Sequence, residues 1–141
     1  MTGSMSRMNA LMPDRFVLGE MFENGDGNNR RAAIVTDLLD DDGRYAELVE
    51  VPSGERFAIS RRALAQDWRP IAASGPFYVE QHAGGEMKWH AEVPNLEFVI
   101  AIAKCALHRK QGETIRFRTY DYVSPQDLGR LRFLNATRIL N

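Results

Sequence analysis

The chain has 141 residues, 44% of them apolar and 26% charged, with 18 Lys and Arg against 19 Asp and Glu and a single cysteine. That length holds one ordinary domain or two small modules leaning on each other, and it excludes a large multidomain enzyme. A net charge of −1 removes any overall electrostatic reason to bind nucleic acid or an anionic membrane. One cysteine excludes an intrachain disulfide and Cys-rich zinc sites, as a reducing compartment permits, so a cytoplasmic location is expected. The longest uninterrupted apolar run, Phe98 to Ala103, has six residues. A bilayer span needs about 18 to 20, so no membrane partner is expected.

Residues 1–14 place Met1, Met5, Met8 and Met12 among small and polar side chains with no period, and read as a disordered leader. Short apolar runs separated by turn signals follow, the pattern of small antiparallel sheets. Arg15–Phe22 is the first predicted strand, ending in the Asn- and Gly-rich loop from Glu23 to Asn29. Arg30–Leu39 is the second, closed by Asp40-Asp41-Asp42-Gly43. Arg44–Val51 is the third, Pro52-Ser53-Gly54 turns, and Glu55–Ile59 is the fourth, with Phe57 and Ile59 on one face. Ser60 is placed to cap a helical turn running to Trp68, which Pro70 stops within a short extended piece, Arg69-Pro70-Ile71. In layout, residues 15–73 resemble an SH3-like small β-barrel.

The small, uncharged stretch Ala72-Ala73-Ser74-Gly75-Pro76 marks a module boundary. Beyond it, Phe77–His82 and Met87–Val93 alternate strictly and predict a hairpin. A three-residue loop, Ala83-Gly84-Gly85, pairs Val79 with Trp89 and Phe77 with Ala91 inside, Met87 also facing inward. Outside, it sets Glu80 against Lys88, His82 against Glu86 and Tyr78 against His90. Asn95 then opens one long helix over 96–111, with Glu97 in its first turn, His108-Arg109-Lys110 in its last and Gly112 as its stop. Its polar stripe is narrow (Glu97, Lys104, His108, Gln111), so the helix must be nearly enclosed. Glu113–Tyr120 supplies another strand, Ser124-Pro125-Gln126-Asp127 starts a second helix before Leu128, Leu131 and Leu134, and Ala136–Leu140 supplies a last short strand. The expected fold is therefore α+β: the small barrel at 15–73, then a β-β-α-β-α(-β) module at 76–141 with an antiparallel sheet and a long, largely buried helix.

Residues with chemical potential are few. An EF-hand loop centred on Gly43 would need an acid at Leu38 and a Glu at Val49, and one centred on Gly27 an acid at Phe22, so the acidic loops read as solvated turns. His82, His90 and His108 show no metal-ligand spacing, and Cys105 falls on the apolar arc of the helix as a small hydrophobe. Ser53, Ser60 and Ser124 have turn or capping duties, and Gly25-Asp26-Gly27 lacks the remainder of a phosphate loop. No catalytic constellation, metal site or cofactor is expected.

One face is worth weighing. The outward side of the second sheet should display Tyr78, Lys88, His90, Arg116, Arg118 and Tyr120, an aromatic and basic mixture suited to stacking bases and tracking phosphates. Glu80, Glu86 and Glu92 share it, which also fits a solvated face of cross-strand ion pairs. Charge divides along the chain: residues 1–75 hold nine basic and twelve acidic side chains, and residues 76–141 hold nine and seven. The first functional expectation is a non-catalytic binding module, regulatory or inhibitory, that recognises another protein or a second copy of itself through the apolar helix. The alternative is binding of single-stranded RNA or DNA by the sheet face. A third reading, a small hydrolase or isomerase using His90, needs a pocket around Tyr78 and His90.

Overall fold

A computed structural model describes residues 14–25, 30–72, 74–108 and 112–140. They form a mixed α+β fold with two sheets and three helices. The predicted leader up to residue 13, most of the Asn/Gly loop and residues 109–111 lie outside the described residues.

The first sheet contains β1 (Met21–Asn24), β2 (Arg31–Leu38), β3 (Tyr45–Val51), β4 (Arg56–Ser60) and β5 (Arg69–Ile71), ordered β4-β3-β2-β1-β5, all pairs antiparallel. The first strand begins six residues later than expected. Residues 17–20 form a turn instead, in which the Glu20 amide donates to the Val17 carbonyl at 3.1 Å and the Glu20 carboxylate accepts from the Val17 amide at 2.7 Å. Gly19 sits in that turn at φ 91°, and a Cβ there would come within 3.3 Å of the Ala91 side chain and the His90 carbonyl. The acidic turn is spent on its own backbone: the Asp40 carboxylate accepts from the Arg44 and Tyr45 amides at 2.9 and 3.1 Å. The short helix α1 (Arg61–Asp67) starts where Ser60 Oγ accepts from the Ala63 amide at 3.1 Å.

β2 is buried on both faces, which is why Ala32-Ala33-Ile34-Val35 reads as a run rather than an alternation. Ala33 and Val35 join Phe16, Phe22, Leu48, Leu64 and Trp68 in one cluster. Ile34 points the other way, with Met21, Val49 and Val51, into a larger cluster built around the long helix.

The second sheet contains β6 (Phe77–Ala83), β7 (Glu86–Val93), β8 (Thr114–Thr119) and β9 (Ala136–Arg138), ordered β7-β6-β8-β9. It is mixed rather than wholly antiparallel, because β9 returns from a helix and runs parallel to β8. The hairpin register also differs from expectation. Gly84-Gly85 forms a two-residue turn flanked by the Ala83–Glu86 pair, and a bulge at Lys88 absorbs one residue before Gln81 meets Trp89, Glu80 meets His90 and Val79 meets Ala91. From Gln81 back to Phe77 the pairing slides by two residues. A slip of two preserves the inner and outer faces and changes only the neighbours. Met87, on the turn side of the bulge, lies outside instead and is 47% exposed.

The long helix, α2 (Leu96–Leu107), is capped by Asn95, whose side chain accepts from the Phe98 amide at 3.3 Å. It is described to Leu107 with His108 as its C-cap, and the rest of the expected span, 109–111, lies outside the described residues. The His108 amide turns back to the Cys105 carbonyl at 3.1 Å and tightens the last turn. Phe98 through Ala103, Cys105 and Ala106 are buried. Their cover comes from the strands of both sheets, with Met21, Ile34, Val49 and Val51 on one side and Val79, Ile115 and Phe117 on the other. The apolar helix thus needs no second copy to cover it. The last helix, α3 (Pro125–Phe133), is capped by Ser124 Oγ accepting from the Asp127 amide at 3.1 Å, and Leu128, Leu131 and Leu134 pack into the same cluster.

Candidate functional site

Both α2 and α3 pack on the inner side of the second sheet, and among the described residues no helix lies on its outer side. Alternation along β6 aims Tyr78, Glu80 and His82 outward, while Phe77, Val79 and Gln81 are buried. Antiparallel pairing sets Arg118 beside Tyr78, Arg116 beside Glu80 and Thr114 beside His82. On the other flank, β7 sets Glu92 beside Tyr78 and His90 beside Glu80.

Glu80 is the hub of this face. One carboxylate oxygen accepts from the Tyr78 hydroxyl at 2.6 Å, and the other accepts from His82 Nε2 at 2.8 Å. These bonds, the tyrosine's first and the histidine's second, hold the Glu80 carboxyl below the ordinary carboxylate range, and the charges of His82 and Arg116 act in the same direction against the effect of burial. The Tyr78 hydroxyl moves the opposite way. Burial raises its pKa most, the Glu80 bond and charge add to that, and Arg118 and Arg116 oppose it. The Arg118 guanidinium lies 4.7 Å from the Tyr78 ring centre, and the His90 ring is tilted at 5.8 Å from it.

Of the expected site residues, Tyr78, His90, Arg116 and Arg118 are brought together as one face. Lys88 is displaced into the bulge of β7, and it lines a cleft between the sheets. Tyr120 falls just past β8, which ends at Thr119 where the Asp121 amide donates to Thr119 Oγ1 at 3.0 Å; it is 93% exposed, in a bend. The hub itself, Glu80, was readable as part of the outer row, and the i, i+2, i+4 spacing of Tyr78, Glu80 and His82 on one strand was the signal for its two bonds. Tyr78 and His90 line neither of the two clefts described, so the pocket required by a His90-based hydrolase is not found at either. Among the described residues no group of three or more His, Cys, Asp and Glu side chains could hold a metal ion, and no helix is long and apolar enough to cross a membrane.

No family model matches the chain, and no curated protein or solved structure matches it either.

Proposed function

We propose that this chain is a non-catalytic binding module that recognises another protein, in a regulatory or inhibitory role, through the open face of its second sheet. One observation carries the reading: among the described residues no helix covers the face, yet its side chains are already ordered by Tyr78–Glu80–His82 bonding and by Arg118 over Tyr78. Tyrosine and arginine held in fixed rotamers lose little entropy on docking, which is the property of interface anchors. The strand order β4-β3-β2-β1-β5, with a short helix between β4 and β5, supports an SH3-like reading of the first sheet, a small scaffold suited to such a role. A cytoplasmic location agrees with a lone, buried cysteine. Since α2 is enclosed within the chain, a homodimer would form through this outer face instead of the helix.

A second reading, binding of single-stranded RNA or DNA, draws on Arg116 and Arg118 side by side on β8 with Tyr78 and the exposed Tyr120 nearby. Glu80 and Glu92 on the same face oppose phosphates, so protein recognition is the better fit. Affinity capture with the intact chain and with a Tyr78→Ala, Arg116→Ala, Arg118→Ala variant, each with and without nuclease, separates the two. The expected result is a protein retained by the native chain, insensitive to nuclease and lost from the variant. Loss on nuclease treatment supports the nucleic-acid reading, and equal retention by the variant rules out this face.

A further inference from the structure

Two β-bulges interrupt the fold, one in each sheet, and both face the same cleft. In β2 the register shifts between Val35 and Asp37, leaving Thr36 as the extra residue, and in β7 it shifts opposite Gln81 and His82, leaving Lys88. Thr36 and Lys88 both line a cleft of about 430 Å³ between the sheets, with Asp37, Gln81, Trp89 and Glu113. That volume lies in the range of about 300–1,000 Å³ typical of small-molecule sites, and bulges recur where a strand must re-aim a side chain next to a site.

The lining is organised rather than incidental. Gln81 occupies an inward position of β6 where its neighbours Val79 and Phe77 are apolar, and it is 5% exposed. Its carbonyl oxygen accepts from Trp89 Nε1 at 3.0 Å and its amide nitrogen donates to Glu113 Oε1 at 2.8 Å. A buried amide costs stability unless both ends are satisfied, so this chain has kept a polar network at a place where an aliphatic side chain would fit. Thr36 is also 5% exposed, and its hydroxyl oxygen has no hydrogen-bond partner among the described residues. A buried hydroxyl left unpaired costs stability, which a ligand's polar atom would recover.

We propose that this inter-sheet cleft binds a small zwitterion of the free amino-acid class. The chemistry follows from what the lining offers. Lys88 presents an ammonium to a carboxylate, Glu113 presents a carboxylate to an ammonium, Thr36 supplies a hydroxyl, and Trp89 gives an apolar wall. A simple anion would meet Glu113 and a simple cation would meet Lys88; a ligand carrying both charges satisfies both. The site is distinct from the outer sheet face, and its test is independent of that face.

The experiment titrates the full-length chain with the standard L-amino acids one at a time, and with acetate and propylamine as half-ligands, while following the Trp89 indole N–H by NMR. At least one amino acid is expected to shift that resonance saturably, with each half-ligand binding about tenfold more weakly or worse. Lys88→Met and Glu113→Gln should each lower the affinity by about tenfold or more, and Arg118→Ala on the outer face should leave it unchanged. Thr36→Val provides a control on folding: it removes an unpaired hydroxyl, so it should keep or raise the melting temperature while weakening binding. No saturable shift with any amino acid at about 10 mM overturns the proposal. So does binding that is indifferent to Lys88→Met, or half-ligands that bind as well as the zwitterion.

Discussion

Glu80 accepts hydrogen bonds on both carboxylate oxygens, from Tyr78 and from His82, with Arg116 beside it on β8. Arg116 is exposed at the surface, and the two bonds make the carboxylate a source of stability. Because the folded pKa of Glu80 lies below its unfolded value, its contribution is complete above the ordinary glutamate range and is lost as pH falls through the folded value. Glu80→Gln is therefore expected to cost about 1 kcal/mol near neutrality, with the difference from the native chain shrinking on acidification. Urea unfolding of both chains across the acid range checks it; a difference that grows as pH falls would contradict the assignment. At this scale the sequence was informative wherever a residue's role is local. Cys105 was legible as a core thiol from its place on the helix arc, and it is 3% exposed. Tyr120 was not placed correctly, because alternation gives a side chain a face but does not say where pairing stops. The turn made by Asp121 on Thr119 ends β8 one residue short of it.

At the scale of the element, the caps and turns follow their local residues closely. Ser60, Asn95 and Ser124 each accept from an amide three residues on, where their sequence context placed them. The Pro52-Ser53-Gly54 turn is also where it was read, but it carries a second duty that no local signal reveals. Gly54 has φ 79°, and a Cβ there would lie 2.8 Å from the Lys104 Cβ on α2, so the turn packs on the helix. Gly84 has φ 62° and nothing within 4 Å of such a Cβ. Both Gly→Ala changes carry the left-handed penalty of about 1–2 kcal/mol, and Gly54→Ala is expected to cost more because Lys104 is anchored to the helix backbone at the point of contact. Chemical denaturation of the two variants measures the difference; equal costs would mean that the turn can lift off α2 freely. The hairpin shows the complementary limit. Strict alternation reports faces correctly beyond the bulge, but a bulged hairpin with a two-residue turn and an unbulged one with a three-residue turn give nearly the same alternation, so sequence alone favoured the wrong partners across the ladder and the wrong face for Met87.

At the scale of the whole molecule, the decisive arrangement is α2 between the strands of two sheets. Met21, Ile34, Val49 and Val51 from the first sheet belong to the same apolar cluster as the helix and the second sheet. Burying each such side chain is worth about 1.5–3 kcal/mol, and total stabilities of domains run only to about 5–15 kcal/mol. A fragment of residues 76–141 is accordingly expected to lose cooperative unfolding, with near-ultraviolet circular dichroism reporting the loss of fixed tryptophan packing. A sharp, native-like transition for that fragment would show that the second sheet suffices to hold the helix. The sequence by itself determined what is written within a few residues: most strands and helices, the caps, the turn sites, the faces of side chains away from the β7 bulge, and an enclosed helix. Only the tertiary structure decided the bulged register, the parallel return of β9, the first sheet as cover for α2 and the meeting of Thr36 with Lys88. Each of these is set by contacts between residues far apart in the chain, where the energy depends on partners that no local pattern names.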